Sequence, residues 1–356
     1  MDDNNNKIKI NMLSMADSVD GQGVGSAYLE LMKLLNEDGK NDFEIFLNKG
    51  TKYDIIHAHT VEPRNYLKLK FSKNPTVAYV HFLPDTLDGS IKLPKPIFKI
   101  FKKYVISFYK SADYLVVVNP IFKKDIAKNG IKEDKITYIP NFVSKEMFYK
   151  KTDKEIKDIR KKLGIKENKF VVLGAGQIQN RKGVIDFVEV AKKLPKIDFI
   201  WAGGFSFGGI TDGHHDLKKI MENPPKNVRF LGIVPRNEMN DLFNASDLLF
   251  VPSYNELFPM TILEAISTDT PILLRDLELY EDILFKKYLK GSNNDEFSEI
   301  IKLLSKDKKE YQKQVENAKE ISKFYSKEHV YKMWKEFYTE IAKKKKKEKN
   351  KRKKSE

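Results

Sequence analysis

Residues 247–265 read DLLFVPSYNELFPMTILEA. DLLFV is a short apolar run with the length of a buried strand, and the segment beyond Pro259 continues into a helix. A strand that hands over to a helix is the unit from which parallel α/β sheets are assembled. Glu256 follows the strand, and Glu264 stands eight positions later, two helical turns on. Both carboxylates are then expected at the carboxyl edge of the sheet, where open α/β folds bind their ligands. Each accepts a pair of O–H hydrogen bonds, so the pair suits a ligand rich in hydroxyls, such as a sugar or a ribose. The competing reading is two solvated glutamates on a helix flank, and the surroundings decide between them.

Outward from this segment, strands and helices alternate in two separate runs. The first half offers strands at KIKINML, FEIFL, DIIHA, TVAYVH, YLVVV and ITYIP, with helices at SAYLELMKLL and PIFKIFKKYVISFYK. After the charged segment KKTDKEIKDIRKKLG the alternation restarts with FVVLGAG, DFIWAGG, VRFLG, DLLFVP and PILLR. Two such runs predict two Rossmann-like domains with parallel sheets facing each other across a cleft. The expected boundaries are 1–145 and 146–324. A terminal helix at 325–342, with the apolar stripe Val330, Trp334, Phe337 and Ile341, is expected to pack back on the first domain.

Composition narrows the classes. The 356 residues are 41% hydrophobic, enough for two cores, and no window reaches the length of a membrane-spanning helix. The absence of cysteine excludes disulfides and thiolate chemistry, and six scattered histidines make a dedicated metal site unexpected. MDDNNNKIKI opens acidic and polar, unlike a secretory signal, so a cytoplasmic chain is expected. Of the net charge of +15, nine Lys and one Arg against two Glu lie from Lys343 onward. That low-complexity tail, 343–356, is expected to be disordered, with nucleic acid or an anionic membrane as its partner. No nucleic-acid-binding motif accompanies the charge, and the tail has no stacking aromatics, so a nucleic-acid partner is not the expectation.

FVVLGAGQIQNRKG, WAGG, VRFLGIVPRNEMNDLFNASDLLFVPS and YNELFPMTILEA occur in an order and spacing similar to the retaining glycosyltransferases of family four, which have the GT-B fold. IPNFVSKEMF resembles that family's interdomain segment, and YDIIHAHT and TVAYVHF its first-domain strands. The resemblance covers nearly everything from Lys7 to about Ala342. Within the family, GQGVGSAYLEL, VHFLPDTLDGS and WAGGFSFGGITDG are most similar to bacterial diglycosyl-diacylglycerol synthases. The resemblance implies retaining transfer of a hexose, glucose by preference, from UDP-glucose or UDP-galactose to a monoglucosyl-diacylglycerol acceptor. A soluble or polyprenyl-linked glycan is the alternative acceptor.

Carried over residue by residue, the resemblance gives Glu264 the ribose hydroxyls and Glu256 the hydroxyls of the transferred sugar. Arg181 and Lys182, in a turn ahead of a helix, suit the donor diphosphate. Gln177 departs from the pattern, since many relatives carry a phosphate-binding arginine there, and Arg181 is the candidate substitute. Gly21, Gly23 and Gly25 form a glycine-rich loop between strand and helix, assigned to the donor side. His81, at the end of TVAYVH, matches the histidine beside the donor sugar. His57 and His59 either line the acceptor side or pack, and Asp85 and Asp88 are candidates for acceptor hydroxyls. No two aspartates are separated by one residue, so the Asp-x-Asp metal–diphosphate motif is absent, and transfer without metal or other cofactor is expected.

KLPKPIFKIFKKYVISFYKSA, residues 92–112, reads as a basic, aromatic amphipathic helix. One reading packs its stripe on the sheet. The other, supported by the resemblance to lipid glycosyltransferases, lays Phe98, Phe101, Lys102, Lys103 and Phe108 on an anionic membrane surface. The enzyme would then be peripheral on the inner face of the plasma membrane.

Overall fold

A computed structural model describes residues 7–14, 23–50, 52–83, 94–205, 214–256 and 258–355. The chain divides into two compact units, one within Met1–Asp85, Leu93–Phe142 and Lys327–Glu356, the other spanning Val143–Ser326.

The first unit is built on strands β1 (Ile8–Leu13), β2 (Phe43–Leu47), β3 (Ile55–Ala58), β4 (Thr76–Val80), β5 (Tyr114–Val117) and β6 (Ile136–Tyr138). They lie in the order β2-β1-β3-β4-β5-β6, every pair parallel. The second unit holds β7 (Val171–Ala175), β8 (Asp198–Ala202), β9 (Val228–Phe230), β10 (Leu248–Val251), β11 (Ile272–Arg275) and β12 (Leu289–Gly291). Their order is β12-β11-β10-β7-β8-β9, again all parallel. β3, β4, β7, β10 and β11 are buried along their whole length, as parallel strands covered on both faces must be. β12 has no counterpart in the expected strand list. It is a three-residue edge strand, LKG, whose lysine faces out to Asp276 and Glu281, so it carries no apolar run to read.

In the second sheet the strand order runs one way from β7 through β8 to β9, and the other way from β10 outward. The loops that leave β7 and β10 therefore flank the point where the order reverses, the crevice in which open sheets take ligands. Beneath it, Phe187 meets Trp201 edge-on at 5.1 Å and stacks on Phe250 at 5.8 Å, and Phe250 meets Phe297 at 4.8 Å. Gly174 makes room for that cluster, since a Cβ there would lie 2.4 Å from the Trp201 ring.

The charged segment before β7 is itself a helix, Asp153–Lys162, started by a capping box between Thr152 and Glu155. Its Arg160 donates to Asp247 at 2.8 Å and to Ala245 O at 2.9 Å, tying the helix to the start of β10.

The terminal helix, Lys327–Ser355, belongs to the first unit. Val330, Trp334, Phe337 and Ile341 are buried as a stripe, joined by Tyr338. Lys327 pairs with Asp38 at 3.1 Å and Lys335 with Asp42 at 2.8 Å. The tail expected to be disordered continues this helix to Ser355. Residues 327–355 contain no Gly or Pro, lysine is a good helix former, and Glu340–Lys344 adds an i,i+4 pair at 2.6 Å. Lys345 further anchors the helix to Asn74 Oδ1 at 2.6 Å.

Candidate active site

The loops at the carboxyl edge of the second sheet are laced together by backbone. Gly176 N donates to Ala202 O at 2.9 Å, Ile178 N to Gly204 O at 2.9 Å, and Gly203 N to Gly232 O at 2.7 Å. Gly203 has φ +150°, and a Cβ on it would lie 1.8 Å from Gly176 O, so only glycine allows this approach. The loop from β7 then makes a 3₁₀ turn, Asn180–Lys182, and ends at Gly183 with φ +70°. A Cβ there would lie 2.4 Å from Pro252 O, so Gly183 is where the β7 loop presses against the β10 loop.

That contact carries Arg181 and Lys182 to Glu256. Tyr254 N donates to Arg181 O at 2.8 Å, and Arg181 Nη1 donates to Asn255 O at 3.0 Å. Lys182 Nζ donates to Glu256 Oε1, and Arg181 Nη1 lies 3.8 Å from Glu256 Oε2. Glu256 is 7% exposed. Burial alone would raise its pKa, but the Lys182 and Arg181 charges outweigh it and hold the carboxyl below the usual glutamate value. Arg275 braces the loop from below: its Nε donates to Pro252 O at 2.9 Å, its Nη2 to Asp186 at 2.9 Å, and its guanidinium lies 3.9 Å from the Tyr254 ring centre.

Glu264 sits in the helix Met260–Ser267 and is 5% exposed. Arg236 Nε lies 3.6 Å from its Oε1 and 28 positions before it in sequence, at the start of the helix Arg236–Ala245. Arg236 was not among the candidates read from sequence; a lone arginine after Pro235 carries no signal of the glutamate it meets. Gln177, half-buried, accepts from Gln179 Nε2 at 2.8 Å, a neutral amide pair beside the two cations of the next turn.

The remaining described candidates lie in the first unit. Gly23 and Gly25 are not in a loop: they occupy the first turn of the helix Gly23–Glu37, which starts earlier than SAYLELMKLL suggests. Gly21, Asp85 and Asp88 lie outside the described residues. His81 Nε2 is 3.3 Å from His59 Nδ1, and the His57 and His59 rings lie 4.2 Å apart. His57 Nδ1 bonds Tyr338 Oη of the terminal helix at 2.7 Å. Both residues thus have partners that sequence did not reveal, and His57, fully buried, packs rather than lining a surface. Burial lowers the pKa of all three, that of His59 to about 3, so the cluster is neutral at physiological pH.

The helix Lys95–Lys110 corrects the membrane expectation at one residue. Phe108 is buried with Val105 and Tyr109, against Tyr66 of the helix Pro63–Lys70, and faces the core. Phe98 and Phe101 are half-buried, Phe101 stacking on Phe82 at 6.4 Å, and Lys102 lies over the Phe98 ring at 5.0 Å. Lys103 is exposed, and the outward apolar residues are Ile97 and Ile100, 52% and 69% exposed. Among the described residues no helix is long and apolar enough to cross a membrane, and no three His, Asp or Glu side chains could hold a metal ion.

Residues 155–321 match the family model described as glycosyl transferases group 1, and residues 40–146 match that of Glycosyltransferase Family 4. The chain is 47% identical to an alpha-galactosylglucosyldiacylglycerol synthase of Streptococcus pneumoniae over 94% of its length and 90% of the relative's. The chain belongs to glycosyltransferase family four. It is also 29% identical to a processive diacylglycerol alpha-glucosyltransferase of Acholeplasma laidlawii, over 90% of this chain and 94% of that one. Among solved structures, Anabaena HepE in complex with UDP and glucose shares the fold, with a TM-score of 0.74 at 17% identity, covering 93% of this chain and 99% of that one. WaaG, a glycosyltransferase of lipopolysaccharide biosynthesis, does so with a TM-score of 0.66 at 14% identity, covering 93% and 99%. This family-four member is therefore a glycosyltransferase with two Rossmann-like parallel-sheet domains.

Proposed function

We propose that this glycosyltransferase moves a hexose from a UDP-sugar to monoglucosyl-diacylglycerol, with retention, forming a diglycosyl lipid. The observation that carries the reading is the buried Glu256 at the point of strand reversal, joined to Lys182 and beside Arg181. An ammonium, a guanidinium and a carboxylate gathered at one sheet edge match the two halves of a nucleotide sugar: a diphosphate to neutralise and hydroxyls to orient. Galactose replaces glucose as the proposed hexose, because the relative at 47% identity is named for a galactosyl unit on a glucosyl lipid.

In this reading Lys182 and Arg181 take the diphosphate oxygens and stabilise the charge that grows as UDP leaves. Glu256 accepts hydrogen bonds from hydroxyls of the transferred sugar, and Glu264, set by Arg236, from those of the ribose. Gln177 and the backbone at Gly23 and Gly25 serve the donor side, and His81, neutral and oriented by His59, touches a sugar hydroxyl. The acceptor hydroxyl attacks the anomeric carbon on the face from which UDP departs, and its proton passes to the departing phosphate oxygen. No step needs a metal. The enzyme rests on an anionic membrane through Ile97, Ile100 and the exposed lysines of its helix, helped by Leu67 and Phe71, 54% and 73% exposed on the neighbouring helix and its cap.

The test is transfer from radiolabelled UDP-galactose and, separately, UDP-glucose to monoglucosyl-diacylglycerol in anionic liposomes containing EDTA. A labelled diglycosyl lipid, richer from UDP-galactose, is expected. UDP binding without product from either donor overturns the acceptor assignment, and product only after metal is restored overturns metal independence.

A further inference from the structure

Two buried hydroxyls, Ser253 Oγ and Tyr280 Oη, stand beside Glu256. β10 and β11 pair with each other, so the loops that leave them are neighbours at the sheet edge. The β10 loop holds Ser253, 1% exposed, three residues before Glu256. The β11 loop makes a 3₁₀ turn, Glu278–Tyr280, with Tyr280 N donating to Leu277 O at 3.1 Å and Leu284 N to Tyr280 O at 2.9 Å. That turn buries the Tyr280 ring completely, edge-on to Tyr288 at 6.1 Å. Neither hydroxyl has a hydrogen-bond partner among the described residues. Burial, and then the charge of Glu256, push the Tyr280 phenol well above its ordinary pKa against a pull from Arg181, so it lies near both and stays protonated. Against burial, Lys182, Arg181 and Ser253 lower the pKa of Glu256, which places the serine hydroxyl near it too.

Two buried O–H groups without acceptors, next to a buried carboxylate, are a costly arrangement unless another state of the site uses them. As the site stands, Glu256 is taken by the cations: Lys182 Nζ donates to its Oε1, and Arg181 Nη1 lies 3.8 Å from its Oε2. The cations are themselves incompletely paired, since Arg181 Nε is buried without an acceptor. A diphosphate reaching Lys182 and Arg181 competes with Glu256 for both. A carboxylate deprived of them would be left as a lone buried charge. An ionised carboxylate has about four acceptor positions, so two O–H donors behind it leave the others for hydroxyls of the sugar.

We propose that Tyr280 and Ser253 are positioning residues that receive Glu256 when the donor's diphosphate draws Lys182 and Arg181 away from it. The exchange is one of hydrogen bonds alone. Lys182 Nζ passes from Glu256 Oε1 to a phosphate oxygen, and the two hydroxyls turn to donate to the carboxylate. Glu256 thereby stays ionised and held in place while its remaining acceptor positions serve the sugar. The inference rests on the donor reading proposed for this site and adds how one carboxylate serves the empty and the loaded state.

UDP is titrated calorimetrically into the full chain as wild type, Tyr280→Phe, Ser253→Ala, Glu256→Gln and Tyr280→Phe/Glu256→Gln, and each is melted without UDP. Tyr280→Phe is expected to bind UDP about tenfold more weakly, the loss of one hydrogen bond to a charged group, and Ser253→Ala to weaken it in the same direction. Without UDP the Tyr280→Phe melt is expected to match or exceed wild type, because the hydroxyl removed has no partner there. In the Glu256→Gln background the same Tyr280→Phe change is expected to alter UDP affinity by less than about twofold, since the charge it serves is gone. An equal loss in both backgrounds overturns the handover, because Tyr280 then acts without Glu256. Unchanged UDP affinity in both Tyr280→Phe and Ser253→Ala overturns it as well. A lower Tyr280→Phe melt without UDP, unaccompanied by any loss in UDP affinity, makes the hydroxyl a structural bond of the empty site and also overturns it. Wild type that binds no UDP overturns the donor reading itself.

Discussion

Replacing Glu256 by Gln keeps the side chain's volume and removes its charge, which separates what the carboxylate does for the fold from what it does for transfer. In the structure it is 7% exposed, with the Lys182 side chain at 14% and Arg181 at 20%. Removing one partner of so buried a pair leaves two cations without their carboxylate, at a cost of about 3 kcal/mol, the low end for such breaks. The stability difference has a defined pH dependence. The folded Glu256 has a pKa below its unfolded value, so its contribution is full above the usual glutamate range and is lost as pH falls through the folded value. Thermal melts of wild type and Glu256→Gln should therefore lie apart at neutral pH and converge in acid. On the chemistry, a charge-assisted hydrogen bond to a sugar hydroxyl is worth about 1.5–3 kcal/mol, so kcat should fall roughly 10- to 150-fold. UDP affinity, measured by titration calorimetry, should hold or rise, because Lys182 and Arg181 remain and no longer share their charge with a carboxylate. If kcat stays within about twofold of wild type while the melt drops, the carboxylate is only a structural counter-charge and its catalytic assignment is refuted.

Gly183→Ala should lower the melting temperature and weaken UDP binding together, by more than about 1 kcal/mol in stability, because the added Cβ meets Pro252 O where the two site loops touch. Glu264→Gln should raise KM for the UDP-sugar about tenfold with a smaller change in kcat, read from initial rates; an unchanged KM would remove it from the ribose site. Tyr338→Phe strips the partner from buried His57 and should cost about 1–2 kcal/mol in chemical denaturation, though the residue lies 281 positions away in sequence. His59, held near 3 by burial, contributes stability that is full above its ordinary value of 6.5 and is lost as pH falls from there towards 3. His59→Leu should flatten that part of the stability profile, and an unaltered slope would show that another group titrates.

The parts of this protein that sequence alone determined are those encoded within about ten residues. Each central strand announced itself as an apolar run because parallel strands are buried on both faces, and each site residue at a strand end followed from where the run stopped. Glu256 and Glu264 were legible as candidates for that reason, and Arg181 and Lys182 from the family resemblance and their place in a turn ahead of a helix, before any contact between them was known. Tertiary structure alone decided which charges meet. Lys182 and Glu256 are 74 positions apart, and nothing local in either loop states that Gly183 will press one against the other. Arg236 reaches Glu264, and Tyr338 reaches His57, by the same kind of long-range packing. The rotation of the helix Lys95–Lys110 was likewise set from outside. Its composition offers apolar residues on more than one face, and contact with Tyr66 and Phe82 turned Phe108 inward and left Ile100 in solvent. Periodicity tells that a helix has an apolar face, but which of two comparable faces is buried is a free-energy difference that exists only once the neighbouring elements are in place.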